Sequence, residues 1–248
     1  MNIIECMSFI SIVCLGLAIA GGQVARCDFD ATRLRTGSYS FRTLVDGKEV
    51  GRSRIQISKS ADSGNYVFSN VVIGSFSQSW EAVVSPTFDP VSAKLTFGQG
   101  SAARTVFELA YQGSRVTGFI TARKEPFKRR EVNETISDDT VDQRVDWAAV
   151  MTLKEYVEGQ EFKFEVYDPG TGNSLVRVRI GKSEKTVVPA GSFETVRISY
   201  RIDKRSGAET YEVFVTKQAP RFMVKEKFPN GSVTELMELT DSASEMRD

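Results

Sequence analysis

The sequence predicts a mainly β protein, with about eleven antiparallel strands in one curved, half-barrel-like sheet and one short helix on the concave face. Three observations carry that expectation. From Ser38 onward apolar residues recur with period two, the mark of strands with one buried face. Turn signals fall between these runs at the spacing of an antiparallel meander. No long amphipathic helix competes with either pattern.

At the N-terminus Met7 to Ala20 form an apolar run of about fourteen residues. That is short for a bilayer span, which wants roughly twenty, and right for the core of a signal peptide. Ala18 and Ala20 supply the small residues a signal peptidase checks, so cleavage after Ala20 is the first choice and after Ala25 the runner-up. The leading MNIIE lacks Lys or Arg, so an uncleaved anchor or a buried helix is the competing reading. The expected organisation is a signal peptide over 1–20, a linker over 21–36, one β-rich domain over 37–240 and a flexible tail over 241–248. Cys6 and Cys14 fall in the leader, which leaves Cys27 alone and excludes an internal disulfide or a cysteine metal cluster in the mature chain. The residues before Cys27 and Cys14 lack the small residue expected ahead of a lipidated cysteine, so an outer-membrane lipoprotein is not expected. The expected location is the periplasm.

Asp46-Gly47 joins a strand over Tyr39–Val45 to one over Glu49–Lys59, and Asp-Gly is among the strongest hairpin signals. Phe107, Leu109 and Tyr111 alternate around Glu108. Phe162, Phe164 and Val166 alternate with Lys163 and Glu165, Val176, Val178 and Ile180 with Arg177 and Arg179, and Val196, Ile198, Tyr200 and Ile202 with Arg197, Ser199 and Arg201. Gln112-Gly113, Asp168-Pro169-Gly170, Pro189-Ala190-Gly191, Ser206-Gly207 and Asn230-Gly231 punctuate them. The exception is 138–153, DDTVDQRVDWAAVMTL. Its acidic start suits the positive end of a helix dipole, and Ala148-Ala149 favour helix. Apolar on more than one side, it wants burial against the sheet, with Asp139, Asp142 and Asp146 as a solvated stripe emerging at the open edge.

Composition narrows the chemistry. The 248 residues carry 32 Lys+Arg against 32 Asp+Glu and no histidine. A balanced charge lacks the basic excess that nucleic-acid binding needs. Without histidine, Ser-His-Asp, Cys-His and His-ligated zinc chemistry are excluded. Asp139, Asp142 and Asp146 offer too few oxygens for a calcium site, and Asp168 to Asn173 lack the later bidentate Glu of an EF-hand, so no metal or other cofactor is expected. Lys124 to Arg130 form the one basic cluster, read as a solvated loop with lipid headgroups as the alternative.

In Phe222–Phe228 alternation puts Phe222, Val224, Glu226 and Phe228 on one face. A carboxylate on an apolar face either finds a partner or neutralises. Glu226 therefore pairs with an arginine near a sheet margin, or faces a hollow and holds a polar ligand group. If the hollow is real, its ligand contacts are Glu226, Trp147, Met151, Phe222 and Phe228.

The segments KTVVPAGSFETV (185–196) and YEVFVTKQAPRFMVKEKFPNGSVTELMEL (211–239), with SYSFRTLVDGKEVGRSRIQIS and Val145-Asp146-Trp147, resemble an uncharacterised family of bacterial exported proteins known as a domain of unknown function. The P-A-G-x-F-x-T turn-and-strand and Pro220-Arg221 carry the resemblance, which covers most of the mature chain. It implies a Gram-negative envelope protein and a fold similar to the Lol lipoprotein carriers, in which a half-barrel wraps a helical plug around an acyl-binding hollow. Three functions follow in order: a non-enzymatic periplasmic carrier for a lipid or other apolar ligand, an envelope protein–protein interaction or assembly factor with a packed interior, and a carboxylate-dependent hydrolase.

Overall fold

The computed structural model describes residues 29–74, 77–204 and 207–241. The leader, both its cleavage sites, Cys27 and most of the tail lie outside them. Fifteen strands form one sheet. The first meander contains β1 (Gly37–Val45), β2 (Lys48–Lys59), β3 (Tyr66–Gly74), β4 (Gln78–Val84), β5 (Pro90–Phe97), β6 (Arg104–Gln112), β7 (Arg115–Thr121) and β8 (Arg129–Thr135). A three-residue β9 (Thr140–Asp142) follows, then β10 (Glu161–Asp168), β11 (Gly172–Val188), β12 (Gly191–Lys204), β13 (Gly207–Thr216), β14 (Met223–Lys227) and β15 (Val233–Asp241). Pairing of β1 with β15 joins the two meanders, and β9 adds to β10 as a parallel strand, so β8 and β9 are the sheet's two outer strands.

The mainly β character is as the alternation predicts, but fifteen strands replace about eleven. The difference lies where alternation is weak. β8 reads RREVNET with only Val132 buried, and β9 is three residues, all buried. A polar edge strand and a short buried one both fall below what period-two reading resolves.

The helix predicted over 138–153 is a second correction. It contracts to α1 (Asp146–Ala149), with a 3₁₀ turn over Val150–Thr152. The acidic start does not become a first helical turn because β10 captures it, with Val141 opposite Val166. Tertiary pairing thus overrides local propensity. α1 lies inside the curl of the sheet. Its Trp147 meets Phe68 of β3 edge-on at 6.2 Å, and the Tyr200 hydroxyl of β12 donates to the Trp147 carbonyl at 3.1 Å. Contacts to β3 and β12 from one residue show that the two halves of the sheet face each other across the plug.

The stretch over 21–36 read as a linker differs in its described part. Phe29, Ala31 and Leu34 are buried. Phe29 packs between Phe88 and Phe164, each at 6.1 Å, and Ala31 N–H donates to the Pro86 carbonyl at 2.9 Å. This segment is a second plug, sealing the end of the curl at the β4–β5 turn. Arg221, half of the Pro-Arg signature, locks both plugs. Its guanidinium donates to the carbonyls of Met151 (3.1 Å) and Leu153 and lies 4.2 Å from the Tyr156 ring, while its backbone N–H donates to Arg33 at 2.7 Å. Pro189-Ala190-Gly191 makes the β11–β12 turn, and Ala190 N–H donates to the Leu236 carbonyl at 3.2 Å, one residue beyond the last paired position of β15 with β14.

Candidate functional site

The plugs fill one end of the curl and leave the other open. Between α1 and the inner faces of β1 to β6, β14 and β15 lies a hollow of about 440 Å³, within the usual range of ligand sites. Trp80 of β4, Leu95 of β5 and Phe107 of β6 supply an apolar wall; Thr43, Asn70 and Thr234 supply polar ones. The Asn70 Oδ1 is buried with no hydrogen-bond partner. Strand alternation produces this lining, since each strand turns every second side chain inward.

Glu226 opens into this hollow together with Trp147 and Phe228. Its cross-strand neighbours are Val213 of β13 and Thr234 of β15. Among the described residues no hydrogen bond or ion pair reaches its carboxyl. Burial, with the nearby Asp146 charge adding to it, pushes the Glu226 pKa up to about 8. Of the two positions left open by the sequence, Glu226 lines the hollow, and no arginine pairs with it among the described residues. Met151 and Phe222 are elsewhere. Met151 is fully buried in the plug, and Phe222 stacks on Tyr39 at 5.7 Å with Phe193 edge-on at 5.5 Å. Neither lines the hollow.

The acidic stripe is a third correction. Asp139 is exposed, but Asp142 and Asp146 are buried. Asp142 accepts from Arg144 and, at 2.5 Å, from the Tyr111 hydroxyl across the curl. Arg144 also pairs with Asp168 at 2.7 Å and stacks 4.5 Å over the Phe107 ring. Burial alone would lower the Arg144 pKa, but Asp142 and Asp168 outweigh it and keep the guanidinium charged. Asp146 accepts from the Trp147 N–H at 2.7 Å and the Tyr211 hydroxyl at 3.2 Å, yet burial prevails and its pKa rises to about 7. The sequence places these carboxylates outside because Tyr111 and Tyr211, which donate to them, lie 31 and 65 residues away.

Asp168 accepts from the Gly170 and Thr171 N–H groups, so Asp168 to Gly170 is the hairpin turn its residues predict. The basic cluster enters β8, where Arg129 lies 3.7 Å over the Phe119 ring and Arg130 donates to the Pro169 carbonyl at 2.7 Å.

A larger concavity of about 780 Å³ lies on the outer face of β10 to β14. Lys163, Arg177 and Arg201 stand directly opposite one another there across three strands. Asp203 braces both arginines, at 3.1 and 2.9 Å. These charges are in water, where such pairs contribute little, and no unpartnered buried group faces them. Alternating arginines in β11 and β12 were the available signal.

Among the described residues no helix is long and apolar enough to cross a membrane. Residues 28–238 match the family described as protein of unknown function, DUF3108. A β-barrel-like protein of the domain of unknown function DUF1849 from Brucella abortus shares the fold, with a TM-score of 0.55, 9% identity and coverage of 85% of this chain and 99% of that one. A Bacteroides fragilis protein with a YmcC-like fold gives a TM-score of 0.39 and 12% identity over 87% of this chain and 100% of that one. A Parabacteroides distasonis protein gives 0.41 and 14% over 86% and 99%. No curated protein matches by sequence.

Proposed function

The chain belongs to the DUF3108 family, and we propose that it is a non-enzymatic binding protein of the bacterial envelope, which carries a small amphipathic ligand in the hollow beside α1. The observation that carries this reading is Glu226. Nothing in the fold needs an unpartnered carboxyl in the hollow that Trp147 and Phe228 also line, and an apolar side chain there would not carry the desolvation cost of one. A group kept at such a cost is a functional candidate. The apolar wall of Trp80, Leu95 and Phe107 suits a ligand body, and Glu226 suits its polar end. The lipid-carrier reading narrows accordingly: 440 Å³ accommodates one short chain rather than a diacyl lipid. The apolar run at 7–20 supports export.

Native mass spectrometry of the full chain purified from its own cell envelope tests the reading. A stoichiometric small molecule, lost on Glu226→Ala and Phe228→Ala substitution, is expected. A chain that emerges bare, and takes up no alkyl alcohol, amine or carboxylate on addition, refutes it.

A second reading, docking of an acidic envelope protein in the outer groove, draws on the opposed row of Lys163, Arg177 and Arg201. Like charges directly opposite are destabilising, and Asp203 offsets the two arginines from one end of the row.

A further inference from the structure

The hollow's lining carries two carboxyls, Asp168 and Glu226, and two guanidiniums, Arg144 and Arg123. Arg144 is the buried cation of its wall among the described residues, and Asp142 and Asp168 already engage it. Asp146 stands behind the lining, held by Tyr211, and its charge reaches Glu226, which no guanidinium pairs among the described residues. Arg123, the other cation in the lining, is exposed at the rim and lies 5.1 Å from the Phe97 ring. Across the strands Glu226 meets Val213 and Thr234, both uncharged, and the charged group that weighs on it is Asp146 of α1.

Aromatic rings surround the same point. Trp147 and Phe228 share the space with Glu226, and Tyr211 stacks on Phe228 at 6.5 Å while it donates to Asp146. Ring faces attract cations, most strongly where water is excluded. A carboxyl without a counter-ion, in a hollow walled by aromatic rings whose buried guanidinium is already engaged, is the recognition chemistry of an ammonium group.

We propose that the ligand is an amphipathic amine, whose ammonium pairs with Glu226 between the Trp147 and Phe228 rings and whose alkyl part lies along Trp80, Leu95 and Phe107. This rests on the reading of the hollow as the binding site. In the empty protein Glu226 avoids a bare charge by holding a proton, consistent with its raised pKa. The incoming ammonium supplies the missing charge, Glu226 releases its proton to solvent, and the bound pair is ammonium and carboxylate. An anionic amphiphile gains no such ion pair, because the protonated Glu226 offers it no opposite charge.

The chain's two tryptophans, Trp80 and Trp147, both line the hollow and report occupancy by fluorescence. The full chain is titrated at pH 7 with decylamine, decanol and decanoate. Decylamine is expected to bind about tenfold more tightly than decanol, with decanoate weakest. Glu226→Gln is expected to erase the amine preference and keep decanol binding, which also shows that the variant is folded. Calorimetry of the wild type in two buffers of different ionisation enthalpy is expected to show proton release with decylamine and none with decanol. If decanol or decanoate binds as well as the amine, if the preference survives Glu226→Gln, or if no proton is released, the amine is overturned while the hollow stands. If none of the three binds, the binding reading falls with it.

Discussion

The Tyr211 hydroxyl of β13 donates to Asp146 Oδ2 in α1 at 3.2 Å, joining sheet and plug inside the curl. Its ring also stacks on Tyr200 at 4.6 Å, and the Tyr200 hydroxyl holds the Trp147 carbonyl. One aromatic pair therefore holds both the buried carboxyl of the plug and the backbone of the indole-bearing residue beside the hollow.

Tyr211→Phe keeps the ring and deletes the hydroxyl. A hydrogen bond to a charged group contributes about 1.5–3 kcal/mol, and one to a neutral group about 0.5–1.5. Asp146 has a pKa near 7. The loss is therefore expected to be larger at pH 8.5, where the carboxylate is ionised, than at pH 5.5. Urea denaturation at the two pH values measures it, and an equal loss at both refutes the assignment.

Global stability is expected to fall between about pH 5 and 8. Glu226 and Asp146 have folded pKa values of about 8 and about 7, above their unfolded values. In that window the folded chain holds protons that the unfolded chain has lost, so raising the pH favours unfolding by up to about 1.4 kcal/mol per unit for each group. Glu235 works in the opposite sense, since its ion pairs with Lys225 and Arg42 lower its pKa despite burial, but its contribution is complete above the unfolded carboxylate range. Glu226→Gln is expected to flatten the slope and to be more stable than wild type at pH 8. A wild-type profile that rises from pH 5 to 8 contradicts this.

Arg144→Leu removes the one cation that neutralises Asp142, which is 1% exposed. Deleting one partner of a buried pair costs about 3–5 kcal/mol, because the other charge is left without compensation. Arg144→Lys is expected to rescue only part of this, since Arg144 binds two carboxylates with separate nitrogens and stacks on Phe107. Thermal unfolding reads both, and a leucine variant within about 1 kcal/mol of wild type would show that the pair contributes little.

The second half of the chain was legible because its strands alternate cleanly: Phe162, Phe164 and Val166 in β10 and Val196, Ile198, Tyr200 and Ile202 in β12 are all buried, as period two requires. Glu226 was legible for the same reason, as a carboxyl on an apolar face. The strand count was not, because β8 carries its charges outward on both sides of Val132 and β9 owes its existence to β10. Nor was the burial of Asp142 and Asp146, which depends on Tyr111 and Tyr211 arriving from other strands. The buried 29–34 segment lacks periodicity altogether, and three residues, Phe29, Ala31 and Leu34, do its packing. Periodicity reports which face of an element is buried and is silent on which distant side chain meets it.

Met151 and Phe222 separate fold from site. Alternation groups Phe222 with Phe228, and the helix expected over 138–153 supplies Met151, as ligand contacts, but the structure packs both away from the hollow. Met151→Ala empties a fully buried site and is expected to cost about 2–5 kcal/mol through lost contacts and the cavity left behind. Decanol affinity of the folded fraction is expected to change less than about twofold, since Met151 is not part of the hollow's lining. Phe228 is only partly buried, just beyond the end of β14, with its ring against Tyr211. Phe228→Ala is expected to leave stability within about 1 kcal/mol and to weaken decanol binding about tenfold, because it removes apolar wall where the ligand sits. Urea denaturation and tryptophan fluorescence titration on the same samples give both quantities. If Met151→Ala weakens binding more than Phe228→Ala does, the ligand lies in the plug and not in the hollow beside Glu226.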